Sequence, residues 1–297
     1  MNENSTTVAI IGGGPAGLTA ALYLGRAHVN CIVFDKDMCG GQIVSSPLLE
    51  NVPGYYGSGA ELAIKILDEV SKYPSVQFAN FTEVVDIETP SEKEQILTLE
   101  DGAKISTKYV ICATGSNPIK LPQLESENTH YCVTCDGTLY EGKTVAVIGG
   151  GNTALQYALE LTKYAERIYI CTMEESLRGE ENMRERVLNN NKIEVRYNFA
   201  AMEFDGDVLT PAEGHSLIVD GIFVAIGYKP NTDYFPGGCK IYGCFATDPD
   251  LKILSNDDEF DNIYAVGDCR LKDYNQVVIA MSEGCQAALS IIRDLEN

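Results

Sequence analysis

The chain has 297 residues, no tryptophan, only three histidines and few basic residues. Its 22 lysines and arginines face 43 aspartates and glutamates, which gives a formal net charge of -21. Such a charge opposes binding to nucleic acid or to an anionic membrane. No uninterrupted apolar run approaches the roughly 18 residues of a membrane-spanning helix, and the polar first residues lack the pattern of a secretion signal. We therefore expect a cytoplasmic protein with neither nucleic acid nor membrane as a partner.

The spacing of metal ligands typical of zinc sites is also missing. A structural zinc ion needs four ligands, and His28, His130 and His215 show no such spacing. We predict no metal site. His130 lies two residues before Cys132, and we interpret it as a surface histidine rather than a catalytic one.

Glycine, by contrast, is plentiful, and a first cluster follows a short apolar run. Residues 8–11 lead into Gly12-Gly13-Gly14-Pro15-Ala16-Gly17 and then a helical pattern. Strand, G-x-G-x-x-G and helix in that order form a dinucleotide-binding fingerprint: Gly12 permits the turn, Gly14 lets a pyrophosphate approach, and Gly17 lets helix and strand pack closely. The next strand ends at Asp35, which suits a carboxylate that binds a ribose 2′-hydroxyl about 20 residues after the glycines.

A second cluster repeats this arrangement. Residues 144–148 lead into Gly149-Gly150-Gly151-Asn152-Thr153-Ala154, a G-x-G-x-x-A motif, and a helix follows. At roughly 150 residues per domain, the chain accommodates two domains. The two clusters therefore predict an α/β fold with two Rossmann-like, three-layer, parallel-sheet dinucleotide-binding domains.

Between the two clusters lies Cys132-Val133-Thr134-Cys135-Asp136-Gly137. Two cysteines at this spacing close a small, reducible disulfide, and the thiolate form is the attacking species in disulfide exchange. Asp136 can transfer the proton that this exchange requires. The motif indicates a route for electrons from a cofactor to the disulfide of a partner, and a structural disulfide beside a surface aspartate is the alternative.

With these motifs in this order, the chain resembles the low-molecular-weight thioredoxin reductases over about residues 8–292. The most specific match is the C-x-x-C-D-G motif at the start of the second nucleotide fold. The resemblance implies that residues 1–115 and 239–297 form an FAD-binding domain. Residues 116–238 would form an inserted NAD(P)H-binding-like domain that contains the cysteine pair. It also implies a homodimer, and a domain rotation that presents the dithiol alternately to the flavin and to thioredoxin.

Motif by motif, the resemblance implies the site residues. Cys132 and Cys135 would be the catalytic redox pair, with Cys135 nearer the flavin, and Asp136 would be the acid–base group. The residues that would contact FAD are Gly12, Gly14, Pro15, Ala16, Gly17, Asp35, Lys36, Gly41, Gln42, Asn51, Ala113, Thr114, Gly115, Gly267, Asp268, Gln276 and Val277.

The second nucleotide fold departs from this family where NADPH would bind. NADPH-using members follow the second strand of this fold with His-Arg-Arg-x-x-x-Arg, because a 2′-phosphate needs cations around it. Here Cys171-Thr172-Met173 replaces the first three residues, and only Arg178 fits the last arginine. Glu174 and Glu175 would repel a phosphate.

Three electron donors therefore stay open. NADPH could bind weakly, or NADH could bind with Glu174 or Glu175 on its ribose, or a ferredoxin could reduce the flavin. We favour ferredoxin, because the chain is similar to the ferredoxin-dependent flavin thioredoxin reductases, which keep this two-domain shape without using NADPH. Two electrons passing from a plant-type ferredoxin at about -400 mV to thioredoxin at about -270 mV release about 6 kcal/mol.

The expected function is that of an enzyme of cell redox homeostasis. It would reduce thioredoxin, or a thioredoxin-like protein, through FAD and the Cys132/Cys135 pair. A flavin redox sensor without catalytic turnover is the alternative from a different class of protein.

Overall fold

The computed structural model describes residues 5–46, 48–91, 94–255 and 259–296. It divides into two compact units: unit 1 comprises Met1–Asn117 and Pro230–Asn297, and unit 2 comprises Pro118–Lys229. The helices are α1 (Pro15–Arg26), α2 (Gly59–Val70), α3 (Val133–Asp136), α4 (Asn152–Leu161), α5 (Glu181–Leu188) and α6 (Val277–Glu296). Across the described part of the chain, no helix is long and apolar enough to cross a membrane.

The strands are listed here in chain order. They are β1 (Ser5–Ile11), β2 (Cys31–Phe34), β3 (Leu49–Val52), β4 (Tyr55–Gly57), β5 (Val76–Ala79), β6 (Val84–Ser91), β7 (Glu94–Leu99), β8 (Lys104–Cys112), β9 (Ser116–Pro118), β10 (Thr129–His130), β11 (Thr144–Ile148), β12 (Arg167–Cys171), β13 (Ile193–Arg196), β14 (Ala201–Phe204), β15 (Val208–Pro211), β16 (Leu217–Ile218), β17 (Gly221–Val224), β18 (Tyr228–Pro230), β19 (Lys240–Ile241), β20 (Cys244–Phe245), β21 (Lys252–Leu254) and β22 (Glu259–Ala265).

Unit 1 is built on a mainly parallel sheet in the order β21-β22-β8-β1-β2-β5, and β6 and β7 join it beside β8. The central strand, β1, pairs in parallel with β2 and with β8. Its Val8 and Ile10 pack with α1, α2 and α6, while its Ala9 and Ile11 pack with residues of β6 and β7 on the opposite face. Because both faces are covered, this strand reads as a continuous apolar run.

Unit 2 contains a five-stranded parallel sheet in the order β10-β17-β11-β12-β13. On β11, Val145 and Val147 pack towards α4. Ala146 and Ile148 pack towards the antiparallel sheet of β14, β15 and β16. In both units the parallel sheet is therefore covered on both faces, which is a three-layer arrangement. The predicted α/β fold with parallel Rossmann-like sheets is confirmed.

The C-terminal boundary of the inserted segment, where the chain returns to unit 1, differs from the predicted one. Residues 230–238 were assigned to the inserted domain, but the structure places them in unit 1. The Thr232 hydroxyl donates a hydrogen bond to the Gly243 carbonyl at 2.7 Å. Phe235 is buried next to Phe245 and Phe260. These long-range contacts, which no local signal marks, hold the segment to unit 1.

Candidate functional site

Cys132 and Cys135 form a disulfide bond in the first turn of α3. Cys132 is the N-cap residue of this short helix, and its Sγ accepts a hydrogen bond of 3.2 Å from the backbone N–H of Cys135. An N–H group directed at a sulfur favours the thiolate over the thiol. Once the bond is reduced, Cys132 is therefore the better-placed nucleophile of the pair.

The carboxylate of Asp136 lies in the same turn and contacts a histidine. Its Oδ2 is 3.1 Å from Nδ1 of His130, whose Nε2 is 2.6 Å from the hydroxyl of Tyr140. The side chain of His130 is only 12% exposed and lies 5.2 Å from the ring of Phe223, measured between centroids. The interpretation of His130 as a surface residue is therefore wrong. Pairing of β10 with β17 sets its ring beside Phe223, which the sequence near the cysteines does not indicate.

In unit 1, the first glycine loop exposes backbone at the N-terminus of α1. The helix begins at Pro15 with Gly14 as its N-cap, and it has neither a side-chain cap nor an acidic residue in its first turn. A Cβ on Gly41 would lie 2.7 Å from the Cα of Gly14, and Gly41 has a φ of +66°, so position 41 needs glycine. The first N–H groups of a helix have no intrahelical partner and form a positive end. This loop can therefore hold an anionic pyrophosphate.

The carboxyl ends of β1, β8 and β22 meet beside this loop. Gly12 has a φ of +104°, and a Cβ there would overlap the carbonyl oxygen of Ala113. A Cβ on Gly17 would overlap the carbonyl oxygen of Gly12, and one on Gly267 would lie 3.2 Å from the Cβ of Ala16. The structure thus brings together the first loop, the segment after β8 and the turn after β22. Ligands of open parallel sheets bind at this edge.

Asp35, directly after β2, lies at the border of the same loop. Its Oδ2 accepts a hydrogen bond of 2.7 Å from the Gly13 N–H, and its Oδ1 accepts one of 2.9 Å from the Asp37 N–H. The neighbouring Lys36 is exposed. Each carboxylate oxygen keeps a second lone pair, so Asp35 can also accept a hydrogen bond from a ribose hydroxyl.

Two further predicted residues come together although they are far apart in the chain. The Nδ2 of Asn51 donates a hydrogen bond of 2.9 Å to the Oε1 of Gln276, and Val277 begins α6 directly afterwards. Thr114 is held separately, since its hydroxyl donates a hydrogen bond of 2.5 Å to the Asn231 carbonyl.

Gln42 contacts the segment that follows Thr114. Its Nε2 donates hydrogen bonds to the carbonyl oxygen of Ser116 at 2.6 Å and to the Ser116 hydroxyl at 3.0 Å. Gly115 has a φ of +61°, and a Cβ there would lie 3.8 Å from the same Nε2. The amide group of Gln42 therefore lies against a backbone turn that favours glycine.

A charged cluster that the sequence analysis missed lies next to Asp268. Glu283 of α6 is 5% exposed, and its carboxylate accepts hydrogen bonds from the Gly267 N–H at 2.7 Å, from Arg270 at 2.7 Å and from Lys272 at 3.0 Å. Lys272 Nζ also lies 3.7 Å from Asp268 Oδ1. Burial raises the pKa of Asp268, and Lys272 partly opposes that shift. Glu283 lies 16 residues after Gly267, and no sequence motif links the two positions, so the sequence does not reveal this cluster.

In unit 2, the second glycine loop keeps the same backbone form. Gly149 has a φ of +132°, and α4 begins after the N-cap Gly151 without a side-chain cap. The buried side chain of Thr172 lies where a Cβ on Gly150 would approach it to 2.6 Å. The second glycine loop therefore keeps its backbone form, and the side chain next to it after β12 is the neutral Thr172.

The charges after β12 oppose a 2′-phosphate. Met173 is 72% exposed, and Arg178 is the only cation between residues 171 and 178. The guanidinium of Arg178 lies 3.1 Å from the carboxylate of Glu174. The one cation of residues 171–178 is therefore in contact with a carboxylate.

Comparisons with known proteins agree with this geometry. Residues 6–284 match the family model described as pyridine nucleotide-disulphide oxidoreductase. A protein of Clostridium pasteurianum, described as a 34.2 kDa protein in rubredoxin operon, is 34% identical over 97% of this chain and 96% of its own length. The thioredoxin reductase of Helicobacter pylori is 33% identical over 97% of this chain and 98% of its own.

A solved structure shows the same similarity in three dimensions. The thioredoxin reductase of Lactococcus lactis superposes with a TM-score of 0.90 at 30% identity, covering 97% of this chain and 98% of that one. The family match spans nearly the whole chain and both glycine loops. The chain therefore belongs to the pyridine nucleotide-disulphide oxidoreductase family, whose members of this type are FAD-binding flavoproteins.

Proposed function

We propose that this protein is a flavoprotein disulfide reductase that reduces thioredoxin, or a thioredoxin-like protein, through the Cys132–Cys135 pair. The observation that supports it best is a disulfide with a carboxylate, Asp136, in the same turn. The family match and the 33% identity to a thioredoxin reductase support the same activity.

The residues present in unit 1 fit FAD. The glycine loop at the N-terminus of α1, with Gly41 and Gly267 beside it, would hold the pyrophosphate, and Asp35 would hold the ribose. Asn51, Thr114, Asp268 and Gln276 would contribute polar groups to the rest of the cofactor. When bound and reduced by the electron donor, the flavin would supply the electron pair that reduces the disulfide.

The cysteine pair would then transfer these electrons to the partner. Two electrons and two protons convert the Cys132–Cys135 disulfide into two thiols. The Cys132 thiolate attacks the partner disulfide and forms a mixed disulfide, and one partner sulfur leaves. Cys135 then attacks Cys132, which releases the second sulfur and restores the internal disulfide. Asp136 accepts the protons from the attacking thiols and returns them to the leaving thiolates, so the partner ends as a dithiol.

We propose reduced ferredoxin as the electron donor. The support is the pairing of Arg178 with Glu174 and the neutral residues Thr172 and Met173, since residues 171–178 then offer a 2′-phosphate no unpaired cation. NADPH is the alternative, and the family description, which names a pyridine nucleotide, is consistent with it. NADH is a further alternative, in which Glu174 or Glu175 would bind the ribose.

The donor test is anaerobic stopped-flow mixing of the oxidised FAD-loaded protein with NADPH, NADH or reduced ferredoxin. We expect ferredoxin to bleach the flavin absorbance fastest. NADPH should act at least about 100-fold more slowly, as expected when charge-assisted contacts to its 2′-phosphate worth about 3 kcal/mol are missing. Bleaching by NADH faster than by ferredoxin would identify NADH as the donor. Bleaching by NADPH within milliseconds would overturn the ferredoxin proposal and leave the disulfide reductase proposal intact.

A second experiment separates the enzyme from a flavin sensor. With chemically reduced flavin as the electron source, Cys135→Ser should abolish multiple turnovers of thioredoxin reduction while FAD stays bound. The matched control is Cys239→Ser, which changes a half-buried free thiol of unit 1 and should leave turnover unchanged. Turnover that persists in Cys135→Ser would refute the dithiol mechanism, and an inactive wild-type protein would favour the sensor.

We also propose a homodimer in the cytoplasm. A thioredoxin partner and eight free cysteines suit reducing surroundings. Sedimentation velocity of the FAD-loaded protein should give the mass of two chains, and a concentration-independent single-chain mass would contradict the homodimer.

A further inference from the structure

We propose that His130 is a positioning residue for Asp136: it holds the Asp136 carboxylate in one orientation beside the dithiol turn. The proposal rests on the proposed function in one respect only, namely that the Cys132–Cys135 pair is reduced and reoxidised. It concerns an Asp136–His130–Tyr140 chain that lies wholly within unit 2.

The geometry of the chain fixes the direction of each hydrogen bond. Burial raises the pKa of Tyr140 to about 12, and the carboxylates of Asp136 and Asp220 add to the shift. Tyr140 therefore keeps its proton at working pH, and its hydroxyl lies 2.6 Å from Nε2 of His130. Nδ1 of His130 lies 3.1 Å from Oδ2 of Asp136. Because a carboxylate only accepts hydrogen bonds, we assign the imidazole proton to Nδ1, and Nε2 then accepts a hydrogen bond from the Tyr140 hydroxyl.

The ring of His130 is held on two sides by aromatic residues. The centroid of Phe223 lies 5.2 Å away and that of Tyr140 lies 5.3 Å away. Tyr140 in turn is fixed by Gly221, because a Cβ on Gly221 would overlap its hydroxyl oxygen. A side chain that is 12% exposed and packed in this way has little rotamer freedom. Asp136, whose side chain is 35% exposed, gains its fixed orientation from this contact.

The charged and titratable groups around the chain are few. Asp136 of α3 and Tyr140 contact His130 directly, and β17 contributes only the uncharged Phe223. Lys143 Nζ lies 5.2 Å from the centroid of the Tyr140 ring, and the negative charge of Asp220 acts on Tyr140. Asp136 is thus the anion in direct contact with the imidazole.

The test measures the dithiol without the flavin or thioredoxin. The protein is reduced chemically, freed of reductant and alkylated with iodoacetamide between pH 5 and pH 8.5. Mass spectrometry then quantifies the peptide that contains Cys132 and Cys135, which separates it from the eight other cysteines. The variants are His130→Asn, whose amide N–H replaces Nδ1–H but cannot take a charge, and His130→Phe, which keeps the ring packing without a donor.

We expect the two variants to differ from one another. At pH 8, His130→Asn should react within about threefold of wild type, whereas His130→Phe should be about tenfold slower, less than the roughly 100-fold loss of a whole acid–base group. Because neither asparagine nor phenylalanine titrates, the ratio between the two variants should be the same at lower pH. His215→Asn, an exposed histidine of the same unit, is the matched control and should follow wild type.

A spectroscopic signature complements the rates. With three histidines in the chain, His28→Asn and His215→Asn assign the remaining signal in a long-range ¹⁵N–¹H spectrum, which should show the Nδ1–H form at pH 8. Tyr140→Phe, which removes the hydroxyl next to Nε2, should lower the share of the Nδ1–H form.

The outcomes separate the two proposals. If both His130 variants follow wild type within twofold at every pH, or if His130 shows the Nε2–H form at pH 8, the positioning role is wrong. If the alkylation profiles agree with expectation but the FAD-loaded wild-type protein reduces no thioredoxin, the positioning role stands and the proposed function fails. Circular dichroism of each variant verifies that it is folded.

Discussion

Replacing Glu283 by glutamine should destabilise unit 1 far more than replacing an exposed glutamate. The buried carboxylate of Glu283 accepts hydrogen bonds from Arg270, from Lys272 and from the Gly267 N–H. Lys272 is itself only 6% exposed. The neutral amide leaves Arg270 and Lys272, both largely buried, without the carboxylate that they share. Among the described residues, Lys272 then keeps its 3.7 Å contact with Asp268 as an ion pair.

The magnitude follows from the burial. Removing one partner of a buried ion pair costs about 3–5 kcal/mol, because the remaining charge stays desolvated and unpaired. Since about 1.4 kcal/mol corresponds to a factor of ten, the folding equilibrium of unit 1 should fall by at least roughly 100-fold. The Gly267 turn also loses its anchor next to the N-terminus of α1, so FAD should bind about 10-fold more weakly or worse.

The assay uses flavin fluorescence, because the chain lacks tryptophan. Release of FAD during urea unfolding reports on unit 1, and far-ultraviolet circular dichroism follows the whole chain. The matched control is Glu88→Gln, which breaks an ion pair with Lys104 whose partners are 47% and 55% exposed and should cost under about 1 kcal/mol. An unfolding midpoint of Glu283→Gln that equals that of the control would refute the reasoning.

Three further predictions concern the dithiol and the FAD loop. In Cys135→Ser, Cys132 should be trapped in a mixed disulfide with thioredoxin, which non-reducing electrophoresis detects, whereas trapping only through Cys135 in Cys132→Ser would contradict the assigned nucleophile. Gly41→Ala should abolish FAD binding in an equilibrium titration, because its Cβ would lie 2.7 Å from Gly14; unchanged affinity would contradict the close approach of these glycines. Burial raises the pKa of Asp268. Above the unfolded pKa of about 4, its ionised form is therefore less stable in the folded than in the unfolded protein and lowers the free energy of unfolding. Asp268→Asn should therefore stabilise the FAD-free protein at pH 7 and lose that advantage near pH 3, and an equal effect at both pH values would exclude this cause.

Much of the fold could be predicted because its signals are local. β1 and β11 are buried on both faces, so each appears as an apolar run that ends in glycines. The positive φ values of Gly12 and Gly149 explain why glycine stands first in each loop. Cys132 and Cys135, three residues apart, meet within one turn and needed no tertiary information to be recognised as a pair.

The contacts that adjust the site could not be predicted, because they depend on segments distant in the chain. His130 is only six residues from Asp136, but its burial depends on Phe223 of β17, more than ninety residues later. Glu283 reaches Gly267 only because α6 packs against α1, where a Cβ on Gly284 would overlap the Ala16 carbonyl.

Short-range patterns were therefore sufficient for the fold class, the two glycine loops and the redox pair, since each arises from backbone conformation and strand burial within a few residues. Tertiary structure alone decided the limits of the inserted segment, the buried ion cluster around Glu283 and the histidine beside Asp136. The physical reason is that desolvation and charge pairing depend on which side chains meet across the sheets, and sequence spacing does not report that.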